Sequence, residues 1–211
     1  MEHQCTQYSI FPLFHYFNRT TLRLSTDCER RELTFIMLDV AVAYNRYQFL
    51  GEEFLTWLWY VIEKDQNLIK NFDNDFVALE IGNRIVFENR RKESGERITI
   101  KGDGASLEEG ILTLKKGALV TELNIVYKSA ELTWQFTLKG ESLNFSSLNL
   151  PNTGLPESDE DLEGFILEKI FLYDKILKFL EYVFKHFVKL RLSNKWKNTM
   201  VPKIRTWIES A

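Results

Sequence analysis

Apolar and polar residues follow two rhythms along this chain, and the changes of rhythm divide it. From Gly51 to about Lys70 the rhythm is helical. Phe54, Leu55, Trp57, Leu58, Trp59, Val61 and Ile62 cover nearly the whole circumference, which predicts a helix buried in a core. Glu52 and Glu53 stand in its first turn, where carboxylates complement the helix dipole. The period then drops to two. Val77, Leu79 and Ile81 share one face, Gly82-Asn83 reads as a two-residue hairpin loop, and residues 84–88 return. Beyond a polar loop, Arg97 to Lys101 gives a third strand. Ser106 with Glu109 matches a capping box over a short helix whose buried positions are Ile111, Leu112 and Leu114, and Gly117 is placed to end it. A second meander follows. Leu119, Thr121, Leu123, Ile125 and Tyr127 alternate, Ser129-Ala130 turns the chain, and Leu132, Trp134, Phe136 and Leu138 alternate back. Lys139-Gly140 turns into a last strand with Leu143 and Phe145.

The flanks read differently. Ahead of this core, residues 10–17 have helix-like spacing after Ser9, residues 21–24 suit a short strand, and residues 33–40 fit a buried strand or a buried helix equally well. Behind it, Pro151 to Gly164 is a polar break with five carboxylates, Glu157, Asp159, Glu160, Asp161 and Glu163. A long helix is predicted from about Leu162 to Leu192, and a shorter one from about Asn194 to Ser210, which Pro202 kinks or divides. The fold class expected is α+β: antiparallel β-meanders packed with an aromatic-rich helix and closed by a C-terminal helical pair. The expected organisation is a poorly defined segment 1–48, an α+β domain with two β-meanders over 49–151, an acidic linker over 152–164 and a basic helical region over 165–211.

Composition narrows the class. The chain has 211 residues, 45% hydrophobic and 14% aromatic, which excludes a disordered chain and allows one domain, with or without an appendage. Its two cysteines, Cys5 and Cys28, build neither a disulfide framework nor a four-thiolate metal site. The densest apolar run, Phe54 to Ile62, is about half of the roughly 20 residues a membrane-spanning helix needs. The first residues, Met1-Glu2-His3-Gln4-Cys5, lack the form of a signal peptide, so a reducing cytoplasm without membrane partners is the expectation. The net charge of −3 argues against a basic nucleic-acid binder until it is partitioned. Residues 1–151 sum to −4 and 152–165 to −5, whereas ten cations against four anions leave +6 from Ile166 onward.

Catalytic chemistry finds no foothold. His3, His15 and His186 fall in separate elements without a partner at ligand spacing, and His3 with Cys5 supplies only two potential metal ligands. Gly102-Asp103-Gly104 lacks the Lys-Ser/Thr pair of a phosphate loop, and Asp103 repels phosphate, so a strand-to-helix turn is the better reading. No cofactor, metal site, small-molecule substrate or catalytic residue is assigned. Two basic features remain. One is Arg90, Arg91 and Lys92 near a hairpin tip, with Arg97 and Lys101 beyond. The other is on the long helix, where Lys175, Lys178, Lys185 and Lys189 fall within about 80° of one another, with Tyr182 among them. The opposite side carries Ile170, Leu177, Phe184, Val188 and Leu190. Such a lysine stripe can grip phosphates without sequence preference, although composition alone describes an ordinary solvated face better.

The order of segments carries a resemblance. Residues 49–59 (FLGEEFLTWLW), Gly102-Asp103-Gly104 through Leu107, residues 116–123 (KGALVTEL) and residues 132–138 (LTWQFTL) resemble the recombination-associated protein RdgC family, and a closing helical region rich in Leu and Phe follows in the same order. The resemblance covers roughly Phe49 to the C-terminus. It implies a bacterial DNA-binding protein of recombination and replication, cytoplasmic and nucleoid-associated. It also implies a ring-shaped homodimer that encircles double-stranded DNA and limits access of the recombinase RecA. Some family members are labelled exonucleases, but no carboxylate or histidine cluster supports nuclease chemistry here. Only some fifty residues precede the aromatic helix, where family members have a substantial portion, so a shortened version or a truncated reading frame is expected. The contacts expected for DNA are Lys175, Lys178, Lys185 and Lys189, with Arg90, Arg91 and Lys92 as a second patch. The competing expectation is a non-catalytic interaction protein or degenerate remnant, dimerising through the apolar face of its C-terminal helices.

Overall fold

The computed structural model describes residues 50–89, 96–102, 106–141, 144–152, 154 and 162–210. The segment 1–48, the cations at 90–92, Asp103 and Gly104, Leu143, and four of the five carboxylates at 157–163 lie outside them.

Helix α1 spans 50–64. Its nearly continuous apolar surface is buried, with Leu55, Trp57, Leu58, Trp59 and Val61 no more than 1% exposed. The predicted helix to Lys70 stops short, and two 3-10 turns, Gln66–Leu68 and Lys70–Phe72, follow instead. Gln66 accounts for the stop. Its amide donates to Ile62 O (3.0 Å) and Leu79 O (2.9 Å) and accepts from Leu79 N–H (3.1 Å), so it ends the helix and pairs with the next strand at once.

Strands β1 (Phe76–Asn89), β2 (Glu96–Lys101), β3 (Leu119–Ser129), β4 (Leu132–Lys139) and β5 (Asn144–Asn149) form one antiparallel sheet in the order β2-β1-β3-β4-β5. The α+β class with antiparallel strands stands. The two meanders are joined in a single sheet, and the hairpin expected at Gly82-Asn83 is absent, because those residues lie inside the continuous 14-residue strand β1. Ile81 pairs with Ile125 and Ile85 with Leu123, so Gly82, Asn83 and Arg84 stand opposite Asn124 alone. That is a bulge, and glycine is required there for closeness rather than for turning. A Cβ on Gly82 would lie 1.8 Å from Asn124 Oδ1. The buried Asn124 amide is fully engaged, donating to Phe136 O (3.2 Å) and Thr137 Oγ1 (2.9 Å) and accepting from Gln135 Nε2 (3.0 Å).

Helix α2 (Ser106–Lys115) ends as predicted at Gly117, whose φ is +86°. Gly117 N–H donates to Leu114 O and Ala118 N–H to Thr113 O, the paired bonds of a Schellman termination. Helix α3 (Leu162–Arg191) matches the predicted long helix within a residue at its end. Pro202 divides the last segment as expected: a π-helical turn, Trp196–Met200, precedes helix α4 (Val201–Glu209), and proline, lacking an N–H, sits in the first turn of α4.

The four helices among the described residues pack on the sheet face that carries Leu79, Ile85, Phe87, Leu123, Ile125, Tyr127, Trp134 and Phe136. Trp59 of α1 meets Phe87 at 6.0 Å and Trp207 of α4 at 5.4 Å between ring centroids, and Gly110 of α2 lies against Trp59. From α3, Phe179 stacks on Tyr127 at 4.3 Å, and Trp134 Nε1 donates to Leu172 O (3.0 Å). Phe54 of α1 packs on Phe184 and Phe187 of α3. The hydrophobic cluster therefore runs from Phe54 to Trp207, and the C-terminal helices share the core of the sheet. The opposite face is polar, with Glu122 bridging Arg84 (2.9 Å) and Arg97 (2.6 Å). No helix among the described residues is long and apolar enough to cross a membrane.

Candidate nucleic-acid interface

The way α3 seats itself decides which cations face outward. Its buried side chains are Leu172, Ile176, Phe179, Leu180, Val183, Phe184 and Phe187. This stripe is turned from the expected one. Ile170 is exposed, Leu177, Val188 and Leu190 are half-buried, and only Phe184 belongs to both. Aromatic contacts set the rotation: Phe179 sits between Phe72 and Tyr127, and Phe187 packs against Phe54, Trp57 and Trp196.

Of the four lysines proposed from the sequence, the turn places Lys175 nearest the buried stripe, and it points inward. Its ammonium lies 2.8 Å from Asp73 Oδ2, donates to Ser129 Oγ (2.8 Å) and sits 5.5 Å above the Trp134 ring. Ser129 Oγ and Tyr127 Oη both donate to Asp73 Oδ2, at 2.7 and 2.8 Å, and Asp75 N–H donates to Oδ1 at 3.0 Å. Burial pushes the Asp73 carboxyl upward, but the bonds from Lys175, Ser129, Asp75 and Tyr127 prevail and hold it well below the usual carboxylate range. Burial, and then the bond to Asp73, push the Tyr127 phenol above its ordinary value.

A Ser hydroxyl at 2.8 Å from a Lys ammonium is the spacing of a nucleophile and its base. Here Ser129 is fully buried, its hydroxyl hydrogen is directed at Asp73, and the Lys175 ammonium is ion-paired to the same carboxylate. The cluster fastens α3 to β3 and to the turn before β1. Lys175 is thus corrected from a DNA contact to an internal tie.

The other three lysines are exposed. Lys178 pairs with Asp174 one turn back (2.5 Å), and Lys185 pairs with Glu181. Exposed pairs of this kind are worth about 0.3–0.5 kcal/mol, too little to hold a lysine away from a phosphate. Lys189 stands exposed one turn further on. From Lys178 to Lys189 the axial rise is about 16 Å, the length of roughly five phosphates along one strand of B-form DNA. Between Tyr182 and Ile208 the chain carries seven cations and no carboxylate. Six of them are exposed; the seventh, Arg191, forks onto Glu53 through Nε (2.5 Å) and Nη2 (3.3 Å) and locks the end of α3 to the start of α1.

His186 lies in the same stretch, its ring parallel to Trp57 at 6.2 Å. Burial, and then the charge of Lys189, push the imidazole below its ordinary range. Of the second expected patch, Arg90, Arg91 and Lys92 lie outside the described residues, Arg97 is engaged by Glu122, and Lys101 is exposed. A groove of about 630 Å³ opens between α1, α2 and α4, walled by Leu114, Leu119, Trp196, Ile204 and Ile208. Among the described residues, no group of three or more His, Cys, Asp or Glu side chains is placed to hold a metal ion.

Sequence reasoning missed two features. One is the Asp73 cluster, whose members are scattered along the chain. The other is a run of exposed apolar residues in the first turns of α3, whose spacing was visible on the helical wheel but whose exposure was not. Compared with known proteins, the chain matches no family model, no curated sequence and no solved structure.

Proposed function

We propose that this chain is a non-catalytic protein that binds double-stranded DNA without reading its sequence. The observation carrying this is the carboxylate-free stretch from Tyr182 to Ile208 with its six exposed cations. Lys185 and Lys189 lie on that stretch, and Lys178 extends the row one side further along α3. The binding is electrostatic. Each lysine that neutralises a phosphate releases condensed counterions, and affinity falls with the logarithm of salt at about −0.9 per contact. The resemblance to the RdgC family supplies the biological setting of the proposal: recombination and replication in a bacterial nucleoid, with RecA access limited by coating of the duplex.

The experiment is fluorescence anisotropy with duplexes of unrelated sequence across a salt series, on the wild type and on a K178Q/K185Q/K189Q variant. The salt slope is expected to drop by about 3 in the variant, with weakening shared equally by all sequences. Absence of binding at low salt, or an unchanged slope in the variant, removes the proposal.

A further inference from the structure

The sheet face turned away from the helices gathers charge at one end. Glu122 Oε2 lies 2.9 Å from Arg84 Nη2, and Glu122 Oε1 accepts from Arg97 Nη2 at 2.6 Å, so two guanidinium groups share one carboxylate. The strand register adds to them. Lys101 on β2 is paired with Arg84, Lys139 on β4 with Glu122, and Glu88 on β1 with Arg97. Residues paired across antiparallel strands stand side by side on the same face. Four cations therefore meet two carboxylates here, and two positive charges are left in excess. Glu80 and Lys128, further along the face, satisfy each other at 2.6 Å and take no part.

These cations are not held as Lys175 and Arg191 are, each by a carboxylate of its own. Glu122 is 13% exposed, whereas Arg84 is 38% and Arg97 58% exposed, and Lys101 stands in solvent. A guanidinium has five N–H donors, and each arginine spends only Nη2 on Glu122. Lys101 and Lys139 make no ion pair or side-chain hydrogen bond among the described residues. Arg84 Nε is shut off from solvent and has no acceptor, a costly state for a buried donor. Turning the partly exposed side chain so that Nε and an Nη meet two oxygens of one anion satisfies that donor. The result is the bidentate fork that arginine makes with phosphate.

We propose that this face binds a phosphate dianion, with Arg84 as the fork, Arg97 and Lys101 as flanking donors, and Lys139 offsetting Glu122. The excess of two positive charges matches a dianion. A carboxylate ligand would bring one charge and two oxygens, which Glu122 already supplies to both guanidinium groups. The three terminal oxygens of a phosphate monoester can bridge Arg84, Arg97 and a lysine at once. A DNA duplex is the poorer occupant, because each of its phosphodiesters carries a single charge and α3 with its lysine row lies on the other side of the sheet. The site is thus separate from the proposed DNA contact and does not depend on it.

The measurement is a titration at constant ionic strength, with inorganic phosphate and then thymidine 5′-monophosphate as probes, read by calorimetry and by the arginine Nε–H signals in NMR spectra. Saturable binding of both probes is expected, with the Arg84 Nε–H signal moving. Arg84→Gln is expected to weaken it at least about tenfold, the loss of a charge-assisted bond. Lys101→Gln, at an exposed position that leaves both Glu122 bridges in place, is expected to weaken it about two- to fivefold. Thermal melts confirm that both variants fold. The monophosphate should bind less tightly as pH falls through about 6, where it takes up its second proton. The K178Q/K185Q/K189Q variant should keep full phosphate affinity whether or not the wild type binds duplex DNA, so the two proposals fail separately. Signals that move without saturating overturn the inference, as does phosphate binding that both substitutions leave unchanged. Binding of a duplex without terminal phosphates, weakened by Arg84→Gln while thymidine 5′-monophosphate does not bind, assigns the face to a DNA backbone and likewise overturns it.

Discussion

Leu162–Phe171 and Leu172–Arg191 are consecutive parts of one helix with one outward face, and they use opposite chemistry on it. The longer part buries seven apolar side chains against α1 and the sheet and turns lysines outward. The shorter part buries none and turns Leu, Ile and Phe outward. Helical periodicity treats the two alike. What separates them is whether the core reaches them: α1 supplies Phe54 and Trp57 to rings at 184 and 187, and β3 and β4 reach Phe179 and Leu172, whereas in the first turns Lys169 bonds Pro151 O and, among the described residues, no side chain joins the core. An apolar residue on a helix is core only where a partner exists.

The sharpest break of this comparison exchanges the same residue type in the two parts. Phe187→Ala is expected to cost about 3–5 kcal/mol, because it leaves a cavity among Phe54, Trp57, Phe184 and Trp196. Phe171→Ala is expected to change monomer stability by less than about 0.5 kcal/mol. Urea melts of both variants at low protein concentration check the pair; equal losses would mean that the exposed turns are packed in solution.

The lysines give a smaller contrast. Lys175→Met removes one partner of a mostly buried charge pair and is expected to cost about 2 kcal/mol, the range for a hydrogen bond to a charged group. The same cluster sets an acid limb. Because the folded Asp73 carboxyl lies below its unfolded value, its contribution is complete above about pH 4 and is lost as pH falls below that. Denaturant titrations between pH 5 and 2 should show a steeper loss in the wild type than in Asp73→Asn.

The smallest effect belongs to His186. Its folded imidazole is pushed below the unfolded value, so neutral histidine is favoured in the fold. Stability is full above about pH 6.5 and declines as pH falls through the unfolded value towards the folded one. His186→Gln should flatten thermal stability between pH 7 and 5 in that limb alone; an unchanged slope would place the origin elsewhere.

How much of this was legible in the sequence depended on whether a residue's partner was near in the chain. The alternation at 119–127 and 132–138, the glycine stop at Gly117 and the division at Pro202 are local devices, and the structure has them where the pattern put them. Gly82 is the instructive miss. Glycine followed by asparagine between two alternating runs is a strong hairpin signal, but here the glycine answers to Asn124 on another strand. Lys178, Lys185 and Lys189 were legible as a stripe because helical spacing is local. Lys175 belongs to the same stripe by spacing and was misread, because Ser129 stands 46 residues away and Asp73 a further 56 from Ser129.

The sheet order has a last consequence, for how copies of this chain avoid one another. Among the described strands the two outer ones are β2 and β5, each six residues long. β2 sets Glu96, Arg97 and Lys101 in solvent, and β5 is interrupted at Ser147, whose φ of +53° breaks the flat run of donors and acceptors that a neighbouring strand would need. Short, charged and kinked edges are how β proteins discourage open-ended strand addition. With edges of this kind, further copies at high local concentration find no flat, open strand on which to extend the sheet.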